Sequence, residues 1–118
     1  MKKNKLLILS AILVVFCIAC EREKEFDPTL LHGKWKQNTL FEVYKSDGTG
    51  YTWDEADDVT EEEAQPFEWS LNKDKLEHIH IMEMGGRIPK NYKVTELNST
   101  TLQYEDTYDR SYNFTKMQ

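Results

Sequence analysis

Apolar side chains recur at every second position, and turn sequences interrupt them about every ten residues. This rhythm constrains the fold more than any other feature of the chain. Phe67, Trp69 and Leu71 alternate with polar neighbours, as do Tyr92 and Val94, Leu102 and Tyr104, and Tyr112 and Phe114. Such spacing puts every second side chain on one face, the mark of a half-buried strand. Between the runs stand Ser46-Asp47-Gly48-Thr49-Gly50, Asn72-Lys73-Asp74, Met84-Gly85-Gly86-Arg87 and residues 106–110. Asp-Gly enters the left-handed backbone of a tight hairpin readily. Pro89 falls near the start of its strand, where a missing ladder donor is tolerated.

Residues 35–45 read as one strand, with Thr39, Phe41 and Val43 on one phase and Leu40 and Tyr44 on the other. Residues 76–82 read as another, with Ile79 and Ile81 on the face opposite His78 and His80. No helix-period segment of useful length is present. The expected class is all-β. About seven or eight short strands joined by turns close most simply into a small antiparallel up-and-down β-barrel, because closure removes exposed edges.

The N-terminus predicts where the chain works. Lys2, Lys3 and Lys5 precede an almost unbroken apolar stretch over residues 6–19, and Cys20 closes it before Glu21-Arg22-Glu23-Lys24-Glu25. That is the layout of a secretory signal. About 14 apolar residues fall short of the roughly 20 that a spanning helix needs. The cysteine at the boundary resembles a bacterial lipobox, with Ile18 and Ala19 before it. This implies cleavage before Cys20 and lipid attachment on its thiol. The expected organisation is a signal peptide over 1–19, a lipidated cysteine and polar tether over 20–29, and a barrel domain over 30–118. Cys17 would leave with the signal, so the mature domain would hold itself together without disulfides.

Charge narrows the partners. The chain carries 15 basic and 21 acidic residues, and loss of the three N-terminal lysines takes the net charge from -6 to -9. An acidic domain has no counter-charge for phosphates, so nucleic acid is not an expected partner. The expected membrane contact is through lipid on Cys20 rather than through the folded surface.

Leu31-His32-Gly33-Lys34-Trp35 carries a family resemblance. A Gly-x-Trp at the start of the first strand, after a short turn, resembles the lipocalins. Together with the Asp-Gly-Thr-Gly hairpin, Phe67-x-Trp69 and a terminal Tyr112-x-Phe114 strand, it resembles the small lipocalin-like lipoproteins of Bacteroidetes-type bacteria. The resemblance implies a lipocalin-like, or calycin-like, barrel with an apolar cup at its open end. Trp35 would plug the closed end, with Gly33 beside it in a structural role. In many lipocalins a late arginine packs over that tryptophan, and Arg110 is the candidate here. The acidic tether resembles those that accompany surface export in the same bacteria. The expected location is therefore the bacterial cell envelope, lipid-anchored and in the outer membrane, facing the periplasm or the surface.

Aromatic side chains are the candidate site. Phe41, Trp69, Tyr92, Tyr104 and Tyr112 could form a ligand wall, or could simply fill a small core. Tyrosines suit a ligand best, since a hydroxyl gives direction inside an apolar cavity. His78-x-His80 could begin a zinc site with a carboxylate such as Glu68 as third ligand; the plainer expectation is a solvent-facing pair and no metal. Residues 54–63 hold seven acids in ten positions and read as an exposed loop, with one helical turn at most, bordering the open end. No nucleophile elbow and no free mature cysteine is present, and neither an enzyme activity nor a cofactor is expected. The leading expectation is an envelope-anchored barrel that binds or sequesters a small apolar ligand without chemistry. The alternative is a filled barrel that engages another envelope protein or inhibits a secreted enzyme.

Overall fold

Each turn sequence joins neighbouring strands, so the chain winds up and down. The computed structural model describes residues 24–118. The expected signal peptide and Cys20 lie outside the described residues. Eight strands follow in order: β1 (Gly33–Gln37), β2 (Leu40–Tyr44), β3 (Thr49–Asp54), β4 (Gln65–Asn72), β5 (Lys75–Ile81), β6 (Arg87–Leu97), β7 (Thr101–Glu105) and β8 (Ser111–Lys116). All consecutive pairs are antiparallel, and β1 closes the barrel on β8 with Trp35 opposite Lys116 and Lys36 opposite Thr115. The architecture is lipocalin-like.

The expected single strand over 35–45 is two. Asn38 takes φ 54°, and Gln37 pairs with Leu40 across a two-residue turn. Asparagine tolerates that left-handed conformation better than most residues. β6 carries the other irregularity. Its register to β7 slips between Val94 and Glu96, so Val94 and Leu97 both reach the core although three residues apart. A bulge adds one residue to one strand and resets its phase.

The two ends of the barrel differ. At the lower end a 3-10 turn, Pro28–Leu31, lies under the strands, capped by the Asp27 side chain. Leu31, Trp35, Leu76, Val94, Leu97, Leu102 and Phe114 are buried together above it. Trp35 Nε1 donates to the Leu31 carbonyl at 2.8 Å, tying the turn to the first strand. Pro28 and Thr29, assigned above to the tether, belong to this turn, and Phe26 N–H donates to the Lys73 carbonyl.

Lys116, not Arg110, covers the tryptophan. Its Nζ sits 4.6 Å from the Trp35 ring centroid and donates to the His32 carbonyl. Arg110 lies in the turn before β8 at the other end, paired with Asp106 at 2.8 Å. Gly33 makes room for Lys116: its φ is 124°, and a Cβ there would stand 2.6 Å from Lys116 Cε. Gly50 is needed for a different reason. A Cβ would collide with the Val43 carbonyl oxygen and meet the Phe67 ring at 2.8 Å.

Two substitutions test this lower half. Gly50→Ala should destabilise by about 2–4 kcal/mol, because backbone and a buried ring must both move. Trp35→Phe should cost about 1–3 kcal/mol, because the buried Leu31 carbonyl loses its donor. Urea unfolding of each variant measures both losses; a change below 0.5 kcal/mol in either (roughly the scatter of surface substitutions) would refute that account.

Candidate functional site

Strand alternation decides which side chains enter the barrel. On β2, Leu40, Glu42 and Tyr44 point inward, and Phe41 and Val43 point outward. Phe41 is therefore not part of an interior wall. It stacks on Trp53 at 4.6 Å on the outer surface, beneath Lys34 and Lys36.

On β5 the sequence expectation is inverted. Leu76, His78 and His80 are buried, whereas Ile79 and Ile81 are only half-buried on the opposite face. The tight Lys73-Asp74 turn fixes this phase by pairing Leu71 with Leu76, Trp69 with His78 and Phe67 with His80. The solvent-facing histidine pair is thus corrected to an interior one. Glu68 points the other way and pairs with Arg87 outside. Among the described residues, no three His, Cys, Asp or Glu side chains are grouped to hold a metal ion.

Glu42 organises the interior. The residue is 5% exposed, and its carboxylate accepts from Tyr44 OH and Tyr104 OH, each at 2.8 Å. Tyr104 reaches it from β7, so the bonds span the barrel. Tyr44 OH also lies 2.7 Å from His78 Nε2. With Glu42 ionised, the single Tyr44 proton goes to the carboxylate, so His78 Nε2 must carry the proton it shares with Tyr44. His78 Nδ1 is then a bare acceptor, buried without a partner among the described residues. His80 repeats the pattern. Its Nδ1 donates to Gln65 Oε1 at 2.9 Å, which leaves Nε2 as a buried acceptor without a partner.

Burial sets the ionisation of these groups. Desolvation pushes the Glu42 carboxyl up to about 7, against the pull of its two tyrosine bonds. Desolvation holds His78 down at about 3 and His80 at about 4, aided by neighbouring positive charge. Tyr44 and Tyr104 are pushed well up by burial and by the adjacent carboxylate. At neutral pH both histidines are neutral.

Above this layer the barrel is open. A cavity of about 540 Å³ runs from Glu42, Tyr104 and His80 up to Asp54, Asp57 and Glu63 at the rim. That volume falls within the roughly 300–1,000 Å³ of small-molecule sites. Tyr92, Tyr104 and Tyr112, three of the expected wall residues, line it. Trp69 does not: its Nε1 is held by the Lys45 and Thr49 carbonyls at the closed end.

The acidic loop borders the mouth, as expected, but as two 3-10 turns, Glu55–Asp57 and Glu61–Glu63. It is pinned outside the barrel by Glu61, which pairs with Lys34 at 3.0 Å and accepts from Tyr51 OH at 2.9 Å. β6 meets β7 only from Lys93 onward. A side opening of about 370 Å³ therefore lies between upper β6 and the turn before β8, sharing Lys90, Tyr92 and Tyr112 with the cavity.

Comparison of the chain with protein-family models, curated proteins and solved structures finds no match. Among the described residues, no helix is long and apolar enough to cross a membrane.

The buried groups make stability depend on pH with opposing signs. Glu42 holds its proton more tightly folded than unfolded, so between about 4.5 and 7 it favours unfolding as pH rises. His78 and His80 hold theirs less tightly when folded, so from about 6.5 downward they favour unfolding as pH falls. The histidines win by about one net proton between pH 6.5 and 4.5. The urea midpoint should fall over that interval, and about twice as steeply in Glu42→Gln. Equal slopes in the two proteins would contradict a raised Glu42.

Proposed function

We propose that this chain is an envelope-anchored lipoprotein whose barrel binds a small organic ligand at its open end and does no chemistry on it. The supporting observation is the division of the interior. Packed hydrocarbon fills the lower half, and a cavity of about 540 Å³ remains above the Glu42 layer. A barrel kept solely as a packing unit gains nothing from burying acceptors without partners, since each costs about 1–3 kcal/mol. A ligand bound in the cavity recovers that cost at His80 Nε2, the one of the two whose residue lines it.

The aromatic faces of Tyr92, Tyr104 and Tyr112 suit a ligand with an apolar body. The buried acceptors ask for a polar end as well, which narrows the sequence expectation of a purely apolar ligand. Anchoring through Cys20, membership of the lipocalin-like lipoproteins and an outer-membrane location are parts of this proposal that rest on the N-terminal sequence and the Gly33-x-Trp35 pattern.

Native mass spectrometry of the full chain, purified in detergent from a related host, tests the binding reading. An added mass that disappears on unfolding is expected, and Tyr112→Ala should lose it while remaining folded. A bare barrel that also fails to take up aromatic probes would favour the filled, protein-binding alternative.

A further inference from the structure

Most hydroxyl donors inside the cavity are spent, although Tyr92 OH and the Lys90 ammonium, also on its lining, have no hydrogen-bond partner among the described residues. Tyr44 and Tyr104 give their protons to Glu42. Tyr112 OH points to Asp106 at 3.4 Å. His80 Nδ1 gives its proton to Gln65, whose own amide nitrogen is directed at Met82 Sδ at 3.3 Å.

The acceptors are not spent. An ionised carboxylate offers about four lone-pair positions, and the two tyrosines occupy two of those on Glu42. His80 is 6% exposed, lines the cavity, and its Nε2 has no partner among the described residues. Asp54, Asp57 and Glu63 add negative charge at the rim, against Lys90 as the basic lining residue, which is exposed at the side opening.

Resting on the ligand-binding reading above, we infer that the ligand's polar end is a protonated amine, received by Glu42 and His80 Nε2. An ammonium brings three donors and a positive charge additional to that of Lys90, whose field already reaches the buried carboxylate. A carboxylate or phosphate would find Lys90 and Tyr92 OH, but only beside Glu42 and the rim acids Asp54, Asp57 and Glu63. A pure hydrocarbon would seal Glu42 and His80 Nε2 from water with nothing in return. The rim acids draw a cation toward the mouth. The tyrosine faces then hold its hydrocarbon or aromatic body, and their negative π-surfaces tolerate the adjacent charge. Glu42 is a ligand-binding residue in this assignment, while Tyr44 and Tyr104 position its carboxylate.

Three probes of one shape separate the classes: 2-phenylethylamine, 2-phenylethanol and 3-phenylpropionate. Each is titrated calorimetrically at pH 8 into the full chain in detergent micelles. The amine should bind at least tenfold more tightly than the alcohol, and the carboxylate most weakly. Glu42→Gln should abolish the preference for amine over alcohol. His80→Leu should weaken amine binding about threefold or more. The wild-type comparison stands even if a variant fails to fold, which circular dichroism will show. Alcohol or carboxylate binding as tight as the amine overturns the amine assignment and leaves the binding reading in place. No binding of any probe, together with a bare mass by native spectrometry, overturns both.

Discussion

One carboxylate in the middle of the barrel sets the character of everything above it. Removing an ion from water costs several kcal/mol, so Glu42 can be kept there only with close donors. Tyr44 and Tyr104 supply them from two strands that do not pair with each other. When Glu42 is ionised, committing those hydroxyls to it fixes the His78 tautomer, and the Phe67 ring stacked 4.4 Å from the His78 ring holds the imidazole plane. The result is a polar layer across the lumen, with packed hydrocarbon beneath it and space above. A hydrophobic isostere at position 42 would relieve the burial cost but remove the layer.

The lower end provides the rigidity that such a layer needs. Trp35, the 3-10 turn under it and Lys116 over it close the barrel through side-chain to backbone bonds as well as through the β1–β8 ladder. Arginine and lysine differ in donor geometry, yet here a lysine fills the covering place because Gly33 leaves space for its stem. The open end is built differently. Apart from the two-residue turn between β1 and β2, its strands are joined by longer loops, β6 runs on without β7 beside it, and the acidic segment is folded back against the outer wall by Glu61.

Much of the fold was legible because period two and turn chemistry are local signals. The alternation of Phe67, Trp69 and Leu71, the Asp47-Gly48 hairpin and the Gly33-x-Trp35 start each sit where the sequence puts them. The interior polar layer was not legible by hydropathy. Ile79 and Ile81 outrank His78 and His80 in apolarity, and Phe41 outranks Glu42, so hydropathy points to the wrong face on two strands. The correcting signal was present: Leu71 and Leu76 flank a turn that also aligns Trp69 with His78. Glu42 shares its phase with Leu40 and Tyr44, and that register outweighs its own charge. The bulge at Val94/Glu96 has no local mark, because it depends on what β7 offers opposite.

The most direct measurement is a carboxyl carbon NMR titration of Glu42 in the full chain, with and without 2-phenylethylamine. The account predicts a midpoint near 7 for the free protein, displaced downward when the amine is bound, because a bound cation favours the ionised form. A midpoint near 4.5, the ordinary value for glutamate, that the amine leaves unmoved would contradict both the buried carboxylate and its role as the ligand's counter-charge.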